Sequence, residues 1–180
     1  MSAWGALIMS FFGSVFAALT LYWQWHVAGP LLALPFLVFA LIAVAAALVI
    51  RLPGTGIVLP EKAGRVIMWS SIGEGVGLGL VANVLINLHR LDLLPPAMAL
   101  IVGLHFLPIA VAAAFRPFWL LGGALILAAA AGFILPAPTG GEVAGLAAAL
   151  ALWVASLMAV VRDRRAKRLS AATAWQGVRP

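Results

Sequence analysis

One acidic residue stands among glycines in one of the most apolar parts of this 180-residue chain. The run is Ser70-Ser-Ile-Gly-Glu-Gly-Val-Gly-Leu-Gly-Leu80, and the acid is Glu74. A carboxyl group can take up and release a proton, and an imidazole such as that of His105 changes its charge near neutral pH. Glu74 and His105 are therefore the side chains whose types could do proton chemistry, provided that the fold brings them together.

The composition places these residues in a membrane. The chain is 65% hydrophobic and 9% charged, and its mean hydropathy is +1.16, far from the balance of soluble globular domains. A helix that crosses the hydrocarbon layer needs about 20 apolar residues, so the chain has room for roughly six such helices. A separate soluble domain does not fit.

Six apolar runs predict an all-α polytopic membrane protein, with six transmembrane helices over residues 1–161 and a basic tail over 162–180. The breaks between the runs carry glycine and proline, which is typical of turns. In chain order, predicted helices 1 to 6 are Ala3–Trp25, Pro30–Ile50, Gly64–Leu88, Pro95–Phe115, Phe118–Leu135 and Glu142–Val161.

Lysine and arginine are distributed unequally between the two ends of this bundle. With the N-terminus in the cytoplasm, ten of the eleven basic residues fall in cytoplasmic segments and Arg90 alone falls outside. The positive-inside rule therefore predicts that both termini are cytoplasmic. Nine arginines against two lysines, with alanine and leucine abundant, are typical of a GC-rich bacterial genome, so we expect the chain to lie in a bacterial inner membrane. The ten residues are Arg51, Lys62, Arg65, Arg116, Arg162, Arg164, Arg165, Lys167, Arg168 and Arg179.

Glu74 and His105 are predicted to lie at the same depth. Glu74 follows Arg65 by nine residues, and His105 precedes Arg116 by eleven, which at 1.5 Å per residue gives about 13 Å and about 16 Å from the cytoplasmic end. A short loop joins predicted helices 3 and 4, so we expect the two side chains to face each other. An ionisable group at this depth is costly unless it is paired, neutral or hydrated.

Other polar residues predict a polar centre bounded by predicted helices 1, 3, 4 and 6. Ser10 and Ser14 share one face of predicted helix 1, while Ser70 and Ser71 flank the acid on predicted helix 3. Ser156 lies in the inner half of predicted helix 6. The alternative is that these serines are small packing residues that bond their own helix backbone.

The glycines around the acid predict close helix packing. Gly73 and Gly77 are four residues apart, as are Gly75 and Gly79, so they form two overlapping ridges on which a neighbouring backbone can approach. A dinucleotide-binding loop is excluded because the third glycine of its motif is absent and no strand precedes it.

Pro108 lies three residues after His105 and lacks the N–H that would bond the carbonyl of Leu104, so it predicts a hinge or a hydrated kink. The alternative is a helix bent only for packing.

The segment Ile101-Val-Gly-Leu-His-Phe-Leu-Pro-Ile-Ala110 resembles the histidine-containing helix of small uncharacterised bacterial integral membrane proteins. This resemblance covers one helix of six and implies a shared design for His105 and Pro108, without an activity.

Several kinds of partner and cofactor are excluded or unsupported. The chain has no cysteine, and its three histidines lack metal-ligand spacing, so neither a metal nor another cofactor is predicted. The net charge is +6, and the basic residues lie between and after the apolar runs, where they would meet lipid headgroups. This position favours the lipid bilayer over nucleic acid as a partner. The residues predicted to bind anionic lipid headgroups are Arg162, Arg164, Arg165, Lys167 and Arg168. A short surface helix in the tail is a further expectation, from Leu169, Ala172 and Trp175.

Two main hypotheses for function remain open. In the first, a small solute or protons cross through the polar centre, with Glu74 as the proton carrier and His105 as its partner. In the second, the chain is a non-transporting scaffold or accessory subunit that packs, or forms a homo-oligomer, through small faces such as Gly141, Gly145 and Ala149. An intramembrane enzyme would need a second acid, a metal cluster or an activated nucleophile beside His105, and the sequence offers none.

The predicted orientation can be tested with reporter fusions. A reporter that works only in the cytoplasm is expected to be active when fused after Pro180 and inactive when inserted at Thr139, because the charge asymmetry places these sites on opposite sides. A reporter that works only outside the cytoplasm serves as the matched control. Activity of the external reporter after Pro180 would contradict the orientation.

Overall fold

The computed structural model describes residues 2–57 and 60–176, and within these ranges the regular structure is helical. Six helices there are long and apolar enough to cross a membrane, the pattern of a multi-pass membrane protein, so the predicted fold class and helix count are confirmed. They are α1 (Ala3–Trp23), α2 (Leu34–Ile50), α3 (Glu61–Asn87), α4 (Leu94–Ala112), α5 (Arg116–Ile134) and α6 (Thr139–Gln176). Short 3-10 turns at Gly29–Ala33 and Leu91–Leu93 precede α2 and α4.

Prolines begin three of these helices. Pro35 lies in the first turn of α2, Pro95 and Pro96 in that of α4, and Pro117 in that of α5. The first N–H groups of a helix have no partner inside it, so proline loses nothing there, and its fixed φ angle already suits the helix. The residues that mark breaks in the sequence are therefore also the starts of the helices that follow.

Two helix ends depend on left-handed residues that are not glycine. His89 and Ala114 have φ angles of 55° and 47°. After each of them the next N–H bonds a carbonyl five residues back, from Arg90 to Leu85 and from Phe115 to Ala110. This Schellman geometry closes α3 and α4 and satisfies carbonyls that the last turn leaves free. It ends α4 three residues before the predicted boundary at Phe115.

Helix α6 is the centre of the bundle and packs against α1, α5, α4 and α2. Small residues let these helices approach closely. A Cβ atom added to Gly13 of α1 would lie 3.1 Å from the Ala149 carbonyl of α6. In the same way, Gly103 of α4 and Gly122 of α5 face each other, each Cβ position being 3.0 Å from the other residue's carbonyl oxygen. Backbone contact of this kind is how helices associate in lipid.

Helix α3 lies at the periphery of the bundle. Its helix partner is α4. Only 6% of an 18-residue apolar stretch of α3 is buried inside the chain. Within the described ranges α1 and α3 do not form a packed interface, although both lie beside α4. A cleft between α1 and α3 follows from this arrangement.

The basic tail continues α6 without a break, so the expected separate surface helix is not formed in the described part of the chain. This extension holds together the end of the bundle where α1 begins, which we call the tail end. The buried carboxylate of Asp163 accepts hydrogen bonds of 3.0 Å from the N–H groups of Ala3 and Ile57. Lys167 Nζ donates to the carbonyls of Ile50 and Leu52, at 2.8 and 3.2 Å.

These bonds place charges where helix ends favour them. A carboxylate stabilises the N-terminus of α1, and an ammonium stabilises the C-terminus of α2, because the helix dipole is positive at the first and negative at the second. Gly54, with a φ angle of 100°, passes directly beside the Lys167 carbonyl, where a side chain would clash. The α2–α3 loop is thereby fastened to α6. Arg179 and the side chains of Lys62 and Trp175 lie outside the described residues.

Replacing Asp163 is expected to destabilise the fold. Asp163→Ala leaves the N–H groups of Ala3 and Ile57 without their acceptor, which costs about 1–3 kcal/mol for a buried group. Thermal unfolding in detergent, followed by circular dichroism, should show a lower Tm than wild type. Arg164→Ala, at an exposed position one residue away, is the control and should change the unfolding free energy by no more than about 0.5 kcal/mol. Equal effects of the two substitutions would contradict the role of Asp163.

Candidate functional site

The fold brings Glu74 of α3 and His105 of α4 together. His105 Nδ1 lies 3.5 Å from Glu74 Oε2, and the two side chains are 9% and 11% exposed. Antiparallel packing of α3 and α4 creates this pair because the two residues lie at matching distances from the same bundle end. The pairing predicted from their depths is therefore present in the structure.

Ser70 completes this group from one helical turn before Glu74. Its Oγ lies 3.1 Å from His105 Nδ1 and donates to the His105 backbone carbonyl at 3.0 Å. A hydroxyl has one hydrogen and the carbonyl can only accept it. With that hydrogen on the carbonyl, Ser70 Oγ can accept a hydrogen bond from a protonated Nδ1; with the hydroxyl turned to the ring, Nδ1 keeps its lone pair and Nε2 carries the hydrogen.

The pair lines a cleft of about 310 Å³ between α1, α3, α4 and α6. These are the four helices predicted to bound the polar centre. Ser71, Glu74 and His105 are its polar members. Its apolar residues come from all four helices: Ile8, Met9, Phe12, Leu78, Val102, Phe106 and Leu152. The cleft thus joins one protonatable pair to apolar walls, at the place where α3 does not close against α1.

The serines of α1 do not line this cleft. Ser10 Oγ donates to the Leu7 carbonyl at 3.1 Å, and Ser14 Oγ contacts the Ser10 and Pro35 carbonyls at 3.1 and 2.7 Å. Trp153 Nε1 reaches the Ser10 carbonyl and Ser14 Oγ, both at 3.3 Å. Ser10 and Ser14 therefore join α1 to α2 and α6 by packing and backbone bonds, the alternative that the sequence left open.

Pro108 lies inside α4, one turn beyond His105. With Arg65, Val66, Trp69 and Ser70 it lines a shallow groove on the tail-end side of the pair. Ser70 belongs to this groove and also bonds His105. The groove therefore reaches from Arg65 to the polar side chains of the cleft.

The glycines of α3 do not all take the packing role predicted for them. A Cβ atom on Gly77 would meet Ile101 of α4 at 3.3 Å, but Cβ atoms on Gly73, Gly75 and Gly79 would meet nothing within 4 Å. The reason is that α3 is peripheral, so most of its surface has no neighbour in the chain. Close packing in the bundle instead depends on glycines of α1, α4, α5 and α6.

The residues predicted to bind lipid headgroups have three different surroundings. Arg164, Arg165 and Arg168 are exposed on the α6 extension, as a headgroup-binding surface requires. Lys167 is instead engaged by the α2–α3 loop. The guanidinium of Arg162 lies over the ring of Phe115, with 4.0 Å between Cζ and the ring centroid.

Sequence reasoning missed the apolar walls of the cleft and the role of Asp163. Met9 and Phe12 resemble any other apolar residues of a membrane helix, so no sequence signal separates them. The sequence did contain a signal for Asp163, because it is the one acidic residue within the basic run 162–168 and so stands out from its neighbours.

The opposite end of the bundle carries an exposed ion pair in the turn between α3 and α4. Arg90 Nε and Nη2 donate to the two carboxylate oxygens of Asp92, each at 3.1 Å. Hydrogen bonding to Asp92 raises the pKa of the Arg90 guanidinium.

Among the residues that the structure describes, no group of three His, Cys, Asp or Glu side chains could hold a metal ion.

Comparison of the chain with protein-family models, curated proteins and solved structures gives no match. The resemblance of the segment around His105 to other small membrane proteins therefore stays a prediction. The geometry of the cleft is what supports a function.

The pairing of Glu74 and His105 can be tested by crosslinking, since the chain has no cysteine of its own. Cysteines that replace Glu74 and His105 are expected to be joined by a short bifunctional thiol reagent, because the two side chains meet in the cleft. Cysteines at positions 77 and 101 are the positive control. A pair at 72 and 105 should not be joined, because the Ile72 side chain is exposed on α3. Linkage of 72 with 105 but not of 74 with 105 would contradict the site.

Proposed function

We propose that this protein moves a small solute or protons across a bacterial inner membrane, and that Glu74 and His105 exchange a proton during transport. The observation that carries the proposal is the 3.5 Å contact between the Glu74 carboxylate and the His105 imidazole inside a cleft of about 310 Å³. Ionisable residues within membrane helices are rare and typically mark ion or substrate pathways.

The pair supports proton exchange because either member can hold the proton. With the proton on Glu74, the acid and the imidazole are both neutral, and the imidazole hydrogen is on Nε2, so that the Nδ1 lone pair faces the acid. Transfer of the proton to Nδ1 gives an ion pair. Ser70 Oγ can accept from Nδ1 or donate to it, so it can stabilise both forms of the imidazole. A solute that bonds the carboxylate in the cleft would replace His105 as its partner, and this competition couples solute binding to the proton.

The peripheral position of α3 supports movement around the site. Its helix partner is α4, and little of the helix is buried, so displacement of α3 disturbs its packing against one helix only. Pro108 removes one backbone hydrogen bond from α4 next to the pair. Displacement of α3 would change access to the pair from the shallow groove beside Arg65 and from the cleft.

The second candidate is a membrane scaffold or accessory subunit. The observation favouring it is the open space beside Gly73 and Gly79, which do not line the cleft, where a helix of another protein or of a second copy could approach. The other small face proposed for this role is already occupied within the chain, because Gly141 packs beside Gln24 and Gly145 beside Thr20.

Proton flux into liposomes that contain the purified protein tests the proposed transport. With a potassium diffusion potential as the driving force and a pH-sensitive dye inside, wild type is expected to acidify the liposomes. Glu74→Gln should lower the flux to that of protein-free liposomes, because the amide cannot carry the proton. Glu142→Gln is the matched control, since Glu142 bonds Trp25 at the opposite end of the bundle.

The outcomes separate the two candidates. Loss of flux in Glu74→Gln alone supports the transport proposal. Equal flux in all three proteins would exclude Glu74 as the carrier. No flux in any of them, with or without added solutes, would contradict transport and favour the scaffold.

A further inference from the structure

A second groove lies between α5 and α6, away from Glu74 and His105. Its volume is about 310 Å³, and carbon atoms form nearly all of its lining. Arg162 is its one charged member. Its walls come from apolar residues of α5, among them Ala124, and of α6 from Leu150 onward, with Phe115 beside Arg162.

The length of the groove matches one leaflet of a bilayer. Leu150 and Arg162 are twelve residues apart on α6, which is about 18 Å at 1.5 Å per residue. The hydrocarbon of one leaflet is about 15 Å thick, half of the whole core. Arg162 is also the first charged residue after the apolar run 143–161, so it lies where the hydrocarbon ends and the headgroups begin.

Arg162 is placed to bind an anion at this depth. Its Cζ atom lies 4.0 Å from the centroid of the Phe115 ring, a cation–π contact that is not a hydrogen bond and so uses none of its N–H donors. The ion pairs among the described residues are His105–Glu74 and Arg90–Asp92, so no described carboxylate neutralises Arg162. A guanidinium whose N–H donors are free suits bidentate contact with phosphate oxygens.

We propose that this groove is a binding site for one anionic phospholipid. An acyl chain lies between α5 and α6, and the headgroup phosphate accepts hydrogen bonds from Arg162. Charge and depth favour this occupant. An apolar helix of a partner protein would leave the arginine unpaired, and a soluble anion would leave the apolar walls exposed. The proposal does not depend on transport, because the groove shares no lining residue with the cleft.

Native mass spectrometry can measure this binding directly. Wild-type protein in mild detergent would be mixed with equal amounts of phosphatidylglycerol and phosphatidylcholine with identical acyl chains. We expect phosphatidylglycerol to be retained preferentially. Arg162→Gln should reduce that preference about ten-fold, the loss expected for one charge-assisted contact. Arg51→Gln is the matched control, because Arg51 is an exposed arginine outside both the groove and the set of tail residues predicted to bind headgroups.

A groove-filling substitution tests the position of the acyl chain. Ala124 lines the groove at an exposed position, so Ala124→Phe should fill the groove without disturbing the core and should lower retention of both lipids. Ala130→Phe, at an exposed α5 position outside the groove, should not. Equal retention of the two lipids by wild type would overturn the proposal. So would equal losses in Arg162→Gln and Arg51→Gln, or unchanged retention in Ala124→Phe.

Discussion

Hydrocarbon offers a protein no hydrogen-bond partner, so each polar group in the membrane-spanning part must find its partner within the chain. The structure satisfies this requirement locally wherever it can. Thr20 and Ser156 bond carbonyls one turn back in their own helices, and Ser14 reaches the carbonyl of Pro35. Among the described residues, no buried side-chain nitrogen or oxygen lacks a partner. The helical bundle, its serines and its loop contacts are all consequences of this one constraint.

The same constraint gives Glu74 its significance. A carboxyl group cannot be satisfied by its own helix as a serine can, so it needs a partner from elsewhere, and His105 of α4 lies in reach. If α1 and α6 packed directly against the pair, Glu74 and His105 would still be partners and no open space would be left beside them. Instead the pair lines a cleft next to the least buried helix of the bundle. A structural ion pair does not need adjacent open space, whereas a site that exchanges protons with a solute does.

The sequence predicted what depends on length and depth, and missed what depends on neighbours. Six apolar runs gave six helices, and counting residues from Arg65 and Arg116 placed the acid and the imidazole at one level. The end of α4 was misplaced because Ala114 adopts a left-handed conformation without the glycine that usually signals it. Gly75 and Gly79 lack the packing predicted for them, since their neighbours depend on helix order around the bundle, which glycine spacing does not specify.

The basic tail shows why charge alone is an incomplete guide. Counting lysine and arginine assigned the whole run to lipid headgroups, but the run is helical, and residues on different faces meet different surroundings. Asp163, Lys167 and Ser170 follow one another at four and three residues, so they share the face that holds the N-terminus and the α2–α3 loop. Arg164 and Arg168, four residues apart, share another face and remain exposed. Helical periodicity applied to the tail separates a structural face from an exposed one, and composition cannot make that distinction.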